Sequence, residues 1–202
     1  FTPLIPILFE RCHVHQMGTT VDYRLRHSGE QSTTYFLGQN DGRNRFSSLF
    51  ELFTGGFPVG KAKLNVRGRS LMLSRAAPSK RIAYVTFEEL CGDPLSPADY
   101  RALCHSYHTC FLSELPKLDV LLDRNEMRRL TNFVDAAYEA RVKLVVLAEA
   151  QPNKLFHSNG VFSGEAGWPK TEEAFASERT VSRLIEMQSR EYLQEPWNPQ
   201  DE

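Results

Sequence analysis

Residues 109–148, which read TCFLSELPKLDVLLDRNEMRRLTNFVDAAYEARVKLVVLA, decide the fold of this chain. The run Thr109–Leu115 is mostly apolar and ends at a proline, which predicts a buried strand. Apolar residues then recur at helical spacing from Arg124 to about Ala140, and residues 142–148 form a second apolar run. A strand, a helix and an apolar strand in this order predict a βαβ unit, and therefore an α/β fold with a parallel sheet.

The flanking sequence predicts the remaining elements. Ser96 followed by Pro97 marks the start of a helix that runs to about His105. Strands are expected at residues 35–37, 63–66, 70–73 and 81–87, a loop at 38–45, a helix at 46–53, a turn at 76–79, a glycine-rich loop at 157–170, a helix at 178–193 and a frayed polar tail at 196–202.

Composition excludes several classes of protein. The chain has 202 residues, 41% of them hydrophobic, which supports one sizeable domain or one domain plus an appendage. Its formal net charge of −1 provides no global basic field for nucleic acid. No apolar run approaches the roughly 18 residues of a membrane span. Four scattered cysteines without a C-x-x-C pair favour a reducing compartment. The opening Phe1–Leu8 holds two prolines and no basic residue, unlike a signal peptide, so the chain is expected to be a fragment or a processed product.

One stretch comes close to a phosphate-binding loop. Residues 55–62, GGFPVGKA, almost match G-x-x-x-x-G-K-[ST], but Ala62 has no hydroxyl for magnesium. The motif also needs a helix after it, because a helix N-terminus supplies the N–H groups that hold phosphate. Here a strand-like segment follows, so a turn before a strand is the expected structure.

Two clusters have the side chains of metal ligands. The first is Cys12, His13 and His15, and the second is Cys104, His105 and His108. A zinc site needs three or four ligands, and both clusters are also compatible with ordinary packing. We assign no metal site to either.

Two arginines on the helix of the βαβ unit are candidate functional residues. On a helical wheel Arg128 points away from the apolar face, near Asp135, and Arg129 flanks that face. The pattern has two interpretations. Arg128 belongs to a solvated face and lies near Asp135, or it is offered to an anionic phosphate, including one bound to a neighbouring subunit.

The last helix carries a second pair. Val181, Leu184 and Ile185 belong to the inward stripe, and the wheel places Arg179 and Arg183 on the opposite face. These two arginines are four residues apart, so their like charges repel by about 0.2–0.5 kcal/mol. Either a bound anion or Glu186 would relieve the repulsion.

Several blocks resemble a known family. They are VDYR at 21–24, FEELC at 87–91, ADY at 98–100, NEMRRL at 125–130 with VDAAYE at 134–139, and ERTVSRLIEMQS at 178–189. In this order they resemble the C-terminal half of the ZapE/lactation-elevated-type AAA+ ATPases, which are bacterial cell-division ATPases and their mitochondrial relatives. The resemblance extends from Phe1 to about Leu193.

The resemblance implies a partial P-loop NTPase fold with a parallel βαβ core, a β-rich insertion and a C-terminal helix. Residues 1–195 would be the C-terminal portion of an AAA+-like ATPase domain, followed by a tail at 196–202. Its parts would be the end of the core (1–37), a loop and β-rich segment (38–90), an α/β unit (91–150), a flexible loop (151–177) and a helix (178–195).

The resemblance also implies ATP binding and hydrolysis coupled to protein remodelling or quality control, and it assigns roles to the arginines. ATP and Mg²⁺ are the implied cofactors, with the Walker A and Walker B segments expected outside these residues. Arg179 and Arg183 would contact phosphate in a sensor-2-like role, and Arg128 or Arg129 would be an arginine finger or a subunit contact. Implied partners are further copies of the chain, assembled as a homo-oligomer or a ring, and client proteins. The implied compartment is a mitochondrion, near the inner membrane, or the bacterial cytoplasm. A non-catalytic oligomerisation or client-binding module derived from such an ATPase is the alternative.

Overall fold

The computed structural model describes residues 10–11, 34–120, 122–157 and 172–199. The strands are β1 Tyr35–Leu37, β2 Gly60–Val66, β3 Arg69–Ala77, β4 Ile82–Thr86, β5 Thr109–Leu115, β6 Leu118–Asp119, β7 Lys143–Ala148 and β8 Phe156–His157. The helices are α1 Asn40–Thr54, α2 Pro97–Ser106, α3 Arg124–Glu139, α4 Glu172–Glu186 and α5 Arg190–Gln194. A short π-helix, Glu88–Gly92, follows β4.

A six-stranded sheet with the order β1-β7-β5-β4-β3-β2 forms the centre of the fold. Strands β1, β7, β5 and β4 are mutually parallel, and the hairpin β2–β3 joins β4 in antiparallel orientation. Strands β6 and β8 form a separate parallel pair. The predicted βαβ unit is confirmed as β5–α3–β7, and the mostly parallel sheet confirms the α/β class.

Helices cover both faces of the sheet, as a parallel sheet requires. Helices α2, α3 and α4 contribute to the larger core on one face. Helix α1 covers the other face, where Phe46 and Phe50 pack edge-on against Phe111 of β5, with ring centroids 5.4 and 5.1 Å away. The helical spacing of apolar residues in α3 is confirmed as a buried face, since Leu130, Phe133 and Val134 are fully buried.

The predicted loop at 38–45 is wrong over most of its length, because α1 begins at Asn40. The polar and glycine-rich composition of this stretch suggested a loop. In the structure residues 40–45 form the first turns of an amphipathic helix, with Asp41 and residues 43–45 exposed, and its apolar residues begin at Phe46. Gly42 serves for close packing rather than for chain reversal.

The predicted turn at 76–79 is also misplaced. Strand β3 continues through Ala76 and Ala77, both fully buried, and the chain reverses only in the short 3₁₀ helix Pro78–Lys80. Alanine has a low strand propensity, but its small side chain fits where the strand lies tightly beneath other elements.

The C-terminal region differs from the prediction in two respects. The single helix expected at 178–193 is divided, because the Ser189 hydroxyl accepts the Tyr192 backbone N–H and starts the new helix α5. The tail does not fray over the described residues 196–199. The Trp197 Nε1–H donates to the Cys104 carbonyl at 3.0 Å, and the Asn198 backbone N–H donates to the Ala140 carbonyl.

Parts of the predicted organisation fall outside the described residues. Of the expected end of the core at 1–37, only residues 10–11 and 34–37 are described, and of the loop at 157–170 only His157, which lies in β8. None of the helices in the described part of the chain has both the length and the hydropathy that a membrane span requires.

Candidate functional site: the arginines between helices α3 and α4

Two of the four candidate arginines donate hydrogen bonds to the same carboxylate. Asp135 of α3 accepts a hydrogen bond from Arg179 Nη2 at 3.0 Å through Oδ2, and from Arg183 Nη1 through Oδ1. The Arg183 guanidinium also lies over the Tyr138 ring, 4.9 Å from its centroid. We call these four residues, Asp135, Tyr138, Arg179 and Arg183, the Asp135 cluster.

Small polar residues bring the two helices together beside this cluster. The hydroxyls of Thr131 on α3 and Thr180 on α4 share a buried hydrogen bond of 3.0 Å. Further along, the Tyr138 hydroxyl donates to Glu186 Oε2 at 2.9 Å. These contacts hold α4 in one register against α3, so the position of the arginines is set by the packing of the helices.

The cluster corrects the wheel analysis of the last helix. Arg183 was expected on the face opposite the inward stripe, but its side chain is only 19% exposed and lies at the contact between α3 and α4. Its repulsion with Arg179 is relieved by Asp135 on the other helix, whereas Glu186 accepts from Tyr138. The expected pairing of Arg128 with Asp135 is likewise wrong, since both Asp135 oxygens accept from the last helix.

The cluster keeps a net charge of +1, because two guanidinium groups share one carboxylate. Arg179 is half exposed, so part of its fork of donors faces solvent. A guanidinium matches a phosphate group geometrically and can bind it through two parallel hydrogen bonds. The arrangement is therefore chemically suited to an anionic phosphate placed next to Arg179 and Arg183.

The other two arginines have different environments. Arg128 is exposed and makes no ion pair or hydrogen bond to the described residues. Arg129 is 20% exposed, and its Nη1 donates to the carbonyls of Cys91 at 2.6 Å and Gly92 at 2.9 Å, at the end of the π-helix. Burial raises the pKa of the Cys91 thiol to about 12, against the lowering effect of the nearby Arg129 charge. Arg129 thus joins α3 to the segment after β4.

Replacing Arg129 with alanine is expected to lower the free energy of unfolding by about 2 kcal/mol, because two carbonyls lose a charged donor. Arg128→Ala is the matched control. It removes the same type of side chain from the preceding, exposed position of the same helix. Its effect on the free energy of unfolding should stay within about 0.5 kcal/mol. Urea unfolding followed by circular dichroism measures both variants. Equal effects in the two would contradict the structural role of Arg129.

The remaining sequence candidates are placed as follows. Residues 55–59 form a turn before β2, which begins at Gly60, as expected, with Gly55 and Gly56 at positive φ after α1. Cys104 is fully buried, and His108 Nδ1 lies 2.7 Å from the Thr109 hydroxyl. Within the described ranges no group of three or more His, Cys, Asp or Glu could hold a metal ion. The cluster Cys12, His13 and His15 lies outside these ranges.

Sequence reasoning missed Asp135 as the residue that organises the site. The available signal was the polar stripe Thr131, Asp135 and Tyr138, which lies along one side of α3 at spacings of four and three residues. The family block at 98–100 has a structural explanation. Asp99 forms a capping box with Ser96, and the Tyr100 hydroxyl donates to the Leu90 carbonyl at 3.0 Å.

Comparison with known proteins gives a consistent set of relatives. The family model described as AFG1-like ATPase matches residues 1–196. The chain is 31% identical to Lactation elevated protein 1 homolog B of Danio rerio, over 95% of this chain and 42% of that protein. It is also 31% identical to the cell division protein ZapE of Escherichia coli K12, over 96% of this chain and 48% of that protein. The chain thus spans less than half the length of these relatives. No solved structure shows a significant match.

Proposed function

Because this chain belongs to the AFG1-like ATPase family, we propose that it is the C-terminal part of an ATPase that couples ATP binding and hydrolysis to protein remodelling or quality control. The observation that carries the proposal is the placement of Arg179 and Arg183 around Asp135, with part of the Arg179 guanidinium facing solvent. ATP with Mg²⁺ is the proposed cofactor, held by a phosphate loop outside these residues.

The proposed role of Arg179 and Arg183 is to contact the ATP phosphates. In phosphoryl transfer, negative charge is spread over the oxygens of the transferred group, and fixed cations nearby stabilise the transition state. Asp135 would orient both guanidiniums from α3 while leaving one net positive charge for the phosphate. A guanidinium group suits this role because its parallel N–H donors match the oxygens of a phosphate.

Arg128 is the better of the two remaining arginines for an arginine finger or a subunit contact. Its side chain is exposed on α3, whereas the Arg129 guanidinium already serves the Cys91 and Gly92 carbonyls. Assembly into a homo-oligomer would bring Arg128 to a nucleotide bound by a neighbouring copy. Client proteins are the other proposed partners. The proposed compartment is a mitochondrion in a eukaryote, or the cytoplasm in a bacterium.

A second function is favoured by one observation. Arg179 and Arg183 both form ion pairs with Asp135, and a purely structural contact between two helices would show the same arrangement. In this case the chain would be a non-catalytic oligomerisation or client-binding module derived from an ATPase.

ATP hydrolysis distinguishes the two functions, in a protein that joins this chain to a phosphate-loop half of the same family. Arg183→Ala is expected to lower kcat about tenfold, equivalent to about 1.4 kcal/mol of transition-state stabilisation, and Arg179→Ala to lower it less because Arg179 is more exposed. Arg190→Ala, at an exposed position of α5, is the matched control and should not change kcat. If neither Arg179→Ala nor Arg183→Ala lowers kcat, the phosphate role is excluded and the module is favoured.

A further inference from the structure

Strand β2 forms one edge of the six-stranded sheet and pairs only with β3. The strand at the opposite edge, β1, has three residues, and Tyr35 and Phe36 among them are buried. In the seven residues of β2, by contrast, Val66 is the one buried residue. An edge strand presents a row of backbone N–H and C=O groups that can pair with another extended chain. Strand β2 is thus the longer and more open of the two edges.

The register of the hairpin shows which backbone groups of β2 face outward. Residues 67 and 68 form a two-residue turn, with φ values of 46° and 83°. Such a turn closes with a hydrogen-bonded pair, here Val66 and Arg69, and bonded and non-bonded pairs then alternate along the ladder. Lys63 and Asn65 therefore direct their N–H and C=O groups away from β3. Among the residues that the structure describes, none outside the ladder forms a hydrogen bond with the backbone of β2.

The regular part of this edge is short. The pairing with β3 is irregular between Gly60 and Ala62, and the paired positions then run without interruption from Ala62 to Val66. A bulge at one end of an edge strand limits the length over which another strand can pair with it. The edge therefore accepts an extended segment of about five residues.

Two lysines determine which kind of segment fits this edge. Ala62 and Leu64 pack against the larger core, so Lys61 and Lys63 project from the opposite face of β2, where both are exposed. Neither lysine forms an ion pair within the described part of the chain. The sequence around them, residues 52–87, contains no aspartate or glutamate. The edge thus presents two positive charges beside its free backbone groups.

The same lysines disfavour pairing of β2 with the β2 strand of a second copy. Antiparallel pairing of the two strands would place the lysines of both copies on one face of the joined sheet, and like charges on facing strands are destabilising. Lysine on an edge strand is a common protection against such association. A glutamate or aspartate at the facing positions would instead form favourable cross-strand pairs.

We propose that the outer edge of β2 binds an extended acidic segment of another protein by strand addition. The outward backbone groups of β2 pair with the main chain of the segment, and carboxylates at alternate positions of the segment contact Lys61 and Lys63. Phe57 and Val59, which are exposed immediately before β2, contact an apolar residue at the end of the segment. This surface goes beyond the proposed ATPase function, and its test does not depend on ATP hydrolysis.

Fluorescence anisotropy tests the charge requirement, with a labelled peptide in which glutamate alternates with valine and with the full chain as its partner. Lys63→Glu is expected to weaken binding about tenfold, because an attractive cross-strand pair becomes a repulsive one. Lys154→Glu makes the same change of charge at an exposed position outside the hairpin, and it should leave the affinity within about twofold. Both positions are exposed, so the melting temperatures of the two variants should stay close to that of the parent chain.

A second peptide tests the strand addition itself. Methylation of the backbone nitrogens removes the N–H donors of the peptide without changing its charge, so the methylated peptide should bind at least about tenfold more weakly. Hydrogen exchange provides a direct readout on the protein. The unmethylated peptide should slow the exchange of the outward amides of Lys63 and Asn65, because they become donors in the extended sheet.

Four results would overturn the proposal. They are that the glutamate peptide does not bind, that a peptide with lysine in place of glutamate binds as tightly, that the methylated peptide binds as tightly, or that Lys63→Glu weakens binding no more than Lys154→Glu. Binding to vesicles with phosphatidic acid or to nucleic acid, without binding to the glutamate peptide, would also overturn it, because neither can extend a sheet.

Discussion

Replacing Gly42 with alanine is expected to lower the free energy of unfolding by about 3 kcal/mol, the upper end for an overpacked site, and to lower the melting temperature by about 6–12 °C. Only Gly38 and Gln39 separate β1 from α1, so the first turn of α1 lies against the end of the strand. A Cβ at Gly42 would overlap the carbonyl oxygen of Leu37. Since this contact is with backbone, only a movement of α1 could relieve it.

The consequences of such a movement would extend into the core. Helix α1 alone carries Phe46 and Phe50 to the sheet face where Phe111 is buried, and these rings also contact Tyr84 of β4. A displaced first turn would separate these rings, so the loss of aromatic packing adds to the steric cost.

Gly60→Ala is the matched control for Gly42→Ala. Gly60 is the exposed first residue of β2, its φ is not positive, and a Cβ there would meet nothing within 4 Å. Its effect should stay within about 0.5 kcal/mol. Thermal unfolding of the two variants under one set of conditions is the measurement. If both glycines tolerate alanine equally, the close approach of α1 to β1 is not present in solution.

The parts of the fold that could be predicted from the sequence depend on local patterns. The unit β5–α3–β7 was predicted because each element carries a local pattern of apolar residues. The two strands lie in seven-residue, mostly apolar runs, and the apolar residues of α3 recur with a 3.6-residue period. The start of α2 was predicted for the same reason, since the capping residue Ser96 and Pro97 are adjacent in the chain.

The parts that could not be predicted depend on contacts between distant residues. Residues 40–45 have the composition of a loop, and they are helical because α1 covers a sheet face whose strands come from later in the chain. The tail was expected to fray, but the Trp197 indole donates a hydrogen bond to the carbonyl of Cys104, 93 residues earlier in the chain. Neither contact has a signal within a local window of a single sequence.

The same limit applies to the candidate site. The sequence identified Arg179 and Arg183 as a like-charged pair that needs a counter-ion, but not which residue supplies it. Asp135 lies 44 residues before Arg179, and the helical wheel places it near Arg128 on its own helix. Only the packing of α4 on α3, fixed by Thr131 and Thr180, shows which of the two arginine pairs faces the carboxylate.

Replacing Asp135 with alanine is expected to lower the free energy of unfolding by about 2 kcal/mol. Removing one partner of a buried ion pair costs about 3–5 kcal/mol, and the value here is smaller because the Asp135 side chain is 24% exposed. Asp41→Ala is the matched control. Asp41 forms an ion pair with Arg45 of the same helix, but their nitrogen–oxygen distance is 3.9 Å and the Asp41 side chain is 86% exposed. Its loss should therefore change the free energy of unfolding by no more than about 0.5 kcal/mol.

The Asp135→Ala variant also separates the two proposed functions, because stability and ATP affinity are expected to change in opposite directions. Without the carboxylate, the charge of the cluster rises from +1 to +2, and both guanidiniums become available to a phosphate. In the protein joined to a phosphate-loop half, we therefore expect Asp135→Ala to bind ATP several-fold more tightly while unfolding more easily. A double mutant with Arg183→Ala should lose this gain in affinity, because the released guanidinium is then absent. Unchanged ATP affinity in the single variant would mean that Asp135 and its two arginines only join α3 to α4, which is the result expected of a non-catalytic module.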